Sequence, residues 1–283
     1  MKQSEMPPYS VLMSVYKKDD PTWLETAMKS MLEQTLPPYE FILVEDGPLP
    51  QTLREVIAQK RCEYPHIVRC VQLRENQGLG LALRRGVEEC RCEWIARMDA
   101  DDYAKADRVE KQMAAALSQG ADIVGSDIYE FENDISQITT LRAFPEEAEE
   151  LNRFARRKTP FAHQSVLMKK SRVLAAGNYA DAYLHEDYDL FLRMIADGCR
   201  GYTVKEPLVF ARVNDNYYER RGGFFYLCTM LRFNCHSYRK GWIGAIDFLV
   251  RSCGNILVCS VPNRARVWIY KRCLRRRIVS AEA

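Results

Sequence analysis

The sequence predicts an α/β fold in which a mostly parallel sheet is flanked by helices and followed by a helical, basic C-terminal extension. Three observations carry that prediction. Up to residue 125, short apolar runs alternate with amphipathic stretches and Gly- or Pro-containing turns, the pattern of parallel strands joined by crossover helices. Two of the runs end in acidic turns, Glu45-Asp46-Gly47-Pro48 and Asp99-Ala100-Asp101-Asp102; right-handed crossovers bring such strand ends to one edge, where open α/β sheets bind ligands. From Tyr217 onward there are 13 Lys and Arg against three acidic residues, which leaves 28 basic and 35 acidic residues before that point. A net charge of +3 therefore hides a basic tail on an acidic body.

Tyr9 to Tyr16 (YSVLMSVY) is β-rich and stops at Lys-Lys-Asp-Asp-Pro, a first strand and its loop. Asp20-Pro21-Thr22 opens a helix in which Trp23, Leu24, Ala27, Met28, Met31 and Leu32 recur at helical spacing, with Pro37-Pro38 beyond it. Residues 41–44 are all apolar, as suits a parallel strand covered on both faces. A helix over 53–62 and a strand over 67–73 follow, and the turn Glu75-Asn76-Gln77-Gly78-Leu79-Gly80 leads into another helix. Its next glycine is Gly86, too far on for the dinucleotide-binding fingerprint. Residues 94–98 form a strand, 107–118 a helix and 121–125 a further strand. Beyond them, 128–144 reads as a strand pair, 146–157 as a charged helix and 163–168 as a strand. Leu190, Phe191, Met194 and Ile195 share one face of a helix that His185-Glu186-Asp187 enters and Asp197-Gly198 stops.

An apolar content of 47% and a charged content of 28% describe an ordinary globular chain and argue against disorder. The polar start before the first strand holds no apolar signal segment, so export is not expected. Ten cysteines are scattered without a Cys-x-x-Cys pair, which argues for reduced thiols in a cytoplasmic protein over a zinc ribbon or a redox motif.

Three carboxylates within four positions at a strand end repel one another and resist burial, so positive charge is expected among them. A hard divalent cation that grips a diphosphate is one answer; a solvated loop capping the next helix is the other.

Taken together, VLMSVY, LVEDG, ENQGLGLALRRG, RMDADD, HQSVLM and HEDYDLFLRM resemble, in order and spacing, a family-two glycosyltransferase of the GT-A fold, of the bacterial polysaccharide-biosynthesis type. The resemblance covers residues 9–215 and implies a Rossmann-like sheet, a nucleotide-diphosphate sugar donor (a UDP-sugar foremost), Mn2+ or Mg2+, and inversion at the anomeric carbon. It implies that Tyr16 flanks the base and that Asp46 accepts a hydrogen bond from it, with Asn76 and Gly78 at the same donor-binding edge. Asp99 addresses the ribose or sugar and also counts as a metal ligand beside Asp101, with His163 as a further candidate. Asp187 is the general base, with Glu186 as the alternative. Arg220 and Arg221 resemble a segment that closes over the donor diphosphate. Where the family commonly has Asp-Asp-Gly-Ser, this chain has Glu-Asp-Gly-Pro, which leaves the base-binding partner open.

The domain expectation is a catalytic unit over 1–215, with its nucleotide-binding half at 1–125 and its acceptor half at 126–215, followed by an extension over 216–283. In that extension 243–262 is apolar but interrupted by Asp247, Arg251 and Asn255, a poor membrane span. Arg264, Arg266, Lys271, Arg272, Arg275, Arg276 and Arg277 follow, with Trp268 and Tyr270 among them. This composition fits either a segment lying on an anionic membrane surface, peripheral to the inner face of the cell membrane, or a packed helix pair with a solvated basic end; a nucleic-acid partner is not expected. The acceptor is expected to be a saccharide or lipid-linked saccharide. Two alternatives are a sugar-phosphate nucleotidyltransferase, whose glycine-rich signature VLMSVYKKDD lacks, and a non-catalytic saccharide- or lipid-binding protein.

Overall fold

Four parallel strands, β1 (Tyr9–Val15), β2 (Glu40–Glu45), β3 (Val68–Gln72) and β4 (Trp94–Met98), stand side by side in the order β3-β2-β1-β4. The computed structural model describes residues 6–182, 184–213 and 222–262, together with the backbone of Arg276 and Arg277. Crossover helices α1 (Pro21–Leu32), α2 (Gln51–Glu63) and α3 (Leu79–Glu89) cover both faces. Alternation along a strand decides which side each residue serves: Tyr9, Val11 and Met13 join Leu24 and Met28 of α1 in one core, while Leu12 joins Leu83 and Val87 of α3 in the other. The expected start of α1 holds, since the Asp20 carboxylate accepts from the Thr22 and Trp23 amides at 2.9 and 3.2 Å.

The second half is mixed. After β5 (Tyr103–Ala104) and α4 (Arg108–Gln119) come β6 (Ile123–Phe131), β7 (Ile138–Arg142), α5 (Ala148–Ala155), β8 (Leu167–Lys169), α6 (Lys170–Ala175), α7 (Glu186–Ala196) and β9 (Gly201–Arg212). Strand β8 bridges β4 and β6 antiparallel to both, and β9 runs parallel to β6 while its far end pairs with β5.

Besides the short elements β5 and α6, which the sequence reading does not expect, three details differ from the sequence expectation. The strand expected to stop at Gly125 continues to Phe131, because the Phe161 ring fills the space beside that glycine: an added Cβ would meet Phe161 Cδ1 at 2.6 Å. The strand expected from His163 begins only at Leu167. Residues His163–Ser165 form a tight turn in which the Ser165 amide and hydroxyl both donate to the Ala162 carbonyl, at 2.9 and 3.0 Å. Strand β9 is absent from the expected elements because Lys205-Glu206-Pro207 breaks its alternation, and register shifts against β6 absorb the break.

The chain closes with α8 (Gly223–Arg239) and α9 (Ala245–Ser260). Phe233 of α8 packs with Ala155, Tyr188 and Leu192, so the pair docks on α5 and α7. Among the described residues no helix is long and apolar enough to cross a membrane. Of the basic tail only the backbone of β10 (Arg276–Arg277) is described, and it pairs antiparallel with β7.

Candidate active site

The C-terminal ends of β1, β2 and β4 meet at one edge because β1 lies in register between its neighbours, with Val15 opposite Glu45 and Met13 opposite Met98. Tyr16, Asp46 and Asp99 each follow directly on one of these strands. At the β2 end Asp46 is 4% exposed. One of its oxygens accepts from the Gln77 amide at 2.7 Å, and the other accepts from Asn76 Nδ2 at 2.9 Å and the Gly78 amide at 3.0 Å. Asp46, Asn76 and Gly78 thus form one unit that ties the β3–α3 loop to β2. Gly47 makes it possible: its φ is +85°, and a Cβ there would meet the Asn76 nitrogen at 2.6 Å.

At the β4 end, ligand oxygens of Asp99, Asp101 and Asp102 lie within 4.8 Å of one another. Below them Arg97, 1% exposed, pairs through Nη2 with Asp99 Oδ1 at 2.5 Å, while its Nε and Nη1 have no hydrogen-bond partner among the described residues. Arg108 of α4 donates to the Arg97 carbonyl at 2.8 Å, and Gln112 donates to the Val124 and Ser165 carbonyls, which pins the strand end to α4. Arg212, the last residue of β9, donates its amide to Asp102 Oδ1 at 2.8 Å and its Nε to the Asp101 carbonyl at 3.2 Å. Its guanidinium lies 4.3 Å from the Trp23 ring centroid and 4.6 Å from that of Phe131.

Crowding and burial perturb these acids. Asp101 is pushed up to about 6 by burial and the Asp99 charge, with Arg97 pulling the other way. Asp102 is raised by burial and by Asp101. Asp19, on the β1 loop, is pushed up to about 7 by burial, with Asp101 and Asp99 adding to the rise against a hydrogen bond from the Tyr16 amide at 2.9 Å. An all-oxygen cluster of this kind fits a hard divalent cation.

Asp187 reaches the same place from α7. It lines a cavity of about 250 Å³ together with Asp99, Asp101, Asp102, His163 and Arg212. Glu186 is pushed up to about 7 by burial and by the Asp187 charge, and it packs against α3, where a Cβ on Gly80 would meet Glu186 Cβ at 3.1 Å and the Ala180 carbonyl at 2.9 Å. A second cavity of about 610 Å³, walled by Trp23, Tyr103, Phe131 and Phe210, shares Asp101, Asp102 and Arg212 with the first.

His163 is expected as a metal ligand but does not belong to the described ligand cluster. Its Nε2 is hydrogen-bonded to the Tyr179 hydroxyl at 2.7 Å, and burial with Arg97 nearby drives its pKa well below the ordinary histidine value. The buried neutral ring is a wall of the cleft. Tyr16 is partly exposed at the rim. Arg220 and Arg221 lie outside the described residues. Sequence reasoning missed Asp19, Arg97, Tyr179 and Arg212. Only Arg97 carried a signal, as the one charge within the buried strand WIARM.

Comparison with known proteins identifies the chain as a glycosyltransferase. The chain matches the model of Glycosyl transferase family 2 over residues 10–175 and belongs to that family. It is 33% identical over 273 residues to the UDP-Gal:alpha-D-GlcNAc-diphosphoundecaprenol beta-1,3-galactosyltransferase of Escherichia coli, covering 96% of this chain and 98% of that protein. The amylovoran biosynthesis glycosyltransferase AmsE of Erwinia amylovora is 32% identical over 269 residues, covering 93% and 98%. Among solved structures, the mannosyltransferase PcManGT from Pyrobaculum calidifontis, in complex with GDP-Man and Mn2+, superposes with a TM-score of 0.63 at 13% identity, over 94% of this chain and 73% of that one. S. aureus TarS 1–349 in complex with UDP-GlcNAc gives 0.58 at 16% identity, over 79% of this chain and 66% of that one. At these identities the two structures share the fold.

Proposed function

We propose that this enzyme is a metal-dependent, inverting glycosyltransferase that moves a sugar from a UDP-sugar to a hydroxyl of a lipid-linked saccharide, with residues 1–215 as its catalytic unit, working at the inner face of the cell membrane. The observation that carries the reading is the single cleft lined by both the Asp99-Asp101-Asp102 cluster and Asp187. Asp101 and Asp99 would hold Mn2+ or Mg2+. When bound, that cation supplies charge stabilisation to the departing diphosphate.

The rest falls to the chain's own groups. Asp187 takes the proton of the acceptor hydroxyl as that oxygen bonds to the anomeric carbon and the bond to the diphosphate breaks, UDP leaving with the electron pair. One base and one displacement invert the centre. Glu186 stands beside Asp187, its own carboxyl raised by burial and by the Asp187 charge. Asp46 holds the loop 76–78 against the donor edge, and Tyr16 offers a ring beside it for the base; Arg220 and Arg221, outside the described residues, are assigned to the diphosphate by the family resemblance alone. The aromatic walls of the larger cavity suit the apolar face of a sugar ring. The Escherichia coli relative, named for UDP-Gal and a diphosphoundecaprenol-linked GlcNAc, supports the donor and acceptor classes.

The test is a panel of nucleotide sugars, each incubated with Mn2+ and an undecaprenyl-diphosphate-linked GlcNAc. Transfer from a UDP-sugar with inverted linkage, abolished by chelation, is expected. Chelation-resistant transfer would remove the metal, and transfer from a GDP-sugar alone would remove the donor assignment.

A further inference from the structure

Helix α9 is turned inside out for a helix facing water. The side it presents to the body of the protein is largely polar, Cys259 and Phe248 apart: Arg251 and Ser252 are buried, Asp247 pairs with Arg157 Nε at 2.8 Å, and Ser252 Oγ lies 3.3 Å from Asn234 Nδ2 of α8. The Arg251 guanidinium sits 4.8 Å from the Tyr188 ring centroid and 5.2 Å from that of Phe233. On the opposite side Ile246, Leu249, Val250, Cys253, Ile256 and Leu257 are exposed. Their spacing of three and four residues makes one continuous stripe along the helix. Ile246 is 72% and Leu257 69% exposed. An amphipathic helix of a globular protein buries its apolar stripe; here the stripe is left for something outside the fold.

We infer that this stripe docks the enzyme onto an anionic bilayer, α9 lying flat at the headgroup boundary; the inference rests on the lipid-linked acceptor proposed above. Two observations select a lipid surface over a second copy of the chain. Contacts between Asn234 and Ser252 and between Tyr238 and Phe248 make α8 and α9 antiparallel, which brings Phe224, 82% exposed at the start of α8, to the end of α9 where Leu257 is exposed. That same end is where the basic tail departs. Arg264 follows Ser260 by four residues, so at most about 14 Å of chain separates the first tail charge from the end of α9, and Arg266, Lys271 and Arg272 come next. An apolar stripe followed along the chain by a run of cations is the composition that binds anionic headgroups. With 16 residues α9 is too short to span a bilayer of about 30 Å.

The test is flotation of the full-length chain with liposomes of phosphatidylcholine alone or with 30% phosphatidylglycerol, comparing the wild type with the double variant Leu249→Glu, Leu257→Glu. Both substitutions lie on the exposed stripe, away from the cleft, and thermal stabilisation by UDP with Mn2+ verifies that the variant retains its fold and site. The wild type is expected to float with the anionic vesicles and to lose most binding on neutral ones, and the variant to lose at least tenfold in partition while keeping the UDP response. Equal flotation of variant and wild type, or no wild-type flotation with anionic vesicles, overturns the inference. So does a wild-type dimer in light scattering that the variant abolishes, which would assign the stripe to a second copy. Failure of the transferase reading looks different: flotation persists while no nucleotide sugar is turned over.

Discussion

Replacing Asp46 by Ala removes the acceptor of three hydrogen bonds that join the end of β2 to the loop at 76–78. Hydrogen bonds to a charged group contribute about 1.5 to 3 kcal/mol each. Two of the donors, on Asn76 and Gln77, belong to exposed residues and turn to water when the carboxylate goes, so each loss sits at the low end and the sum is about 4.5 kcal/mol. For a chain of this size that is a fall in Tm of about 8 °C. Asp46→Asn keeps a single carbonyl oxygen and should lose about half as much. Thermal and urea denaturation measure the loss, and amide hydrogen exchange at Gln77 and Gly78 locates it. UDP affinity should fall in parallel, because the loop borders the donor edge. An Asp46→Ala protein with wild-type stability and protected amides, but weakened UDP binding, would refute the reasoning. The carboxylate would then act on the ligand alone, and the loop would hold itself.

Two further outcomes follow from the acidic cluster. Asp101, raised from 3.8 to about 6 in the fold, contributes stability to the metal-free protein that is fully present below pH 3.8 and is lost as pH rises through about 6, because the folded state binds more protons over that window. Mn2+ should therefore raise Tm more at pH 7.5 than at pH 5.5, and calorimetry in buffers of different ionisation enthalpy should record release of about one proton from Asp101 near pH 5, about half near pH 6 and none near pH 8. Arg97→Met removes the charge that lowers Asp101, Asp102 and Glu186, and should move the midpoint of that proton release up by about one unit. An unmoved midpoint would show that Arg97 does not act on the cluster.

The parallel half of the fold was legible because each element is local: apolar runs of strand length, an Asp-Pro helix start, and turns with glycine. The expected span 94–98 coincides with β4, and the edge carrying Tyr16, Asp46 and Asp99 follows from strand order alone. The second half was less legible because its strands are held by distant partners. Gly125 reads as a stop, yet it is a place for the Phe161 ring; His163 reads as a strand start, yet it is tied down by Tyr179 from another segment. Arg212 and Asp19 reach the cluster through β9 pairing and the β1 loop, which no window of sequence around 99–102 reveals. At Glu186-Asp187 the helix entry was legible, but which acid lines the cleft depended on how closely α3 approaches at Gly80.

The central claim is that Asp187, which lines one cleft with the carboxylates proposed to hold the metal, takes the acceptor's proton. Sugar transfer by Asp187→Asn with Mn2+ present measures it most directly. The account predicts a fall in kcat of about 10²- to 10⁴-fold with UDP affinity and Mn2+ affinity unchanged; wild-type kcat in that variant would contradict it.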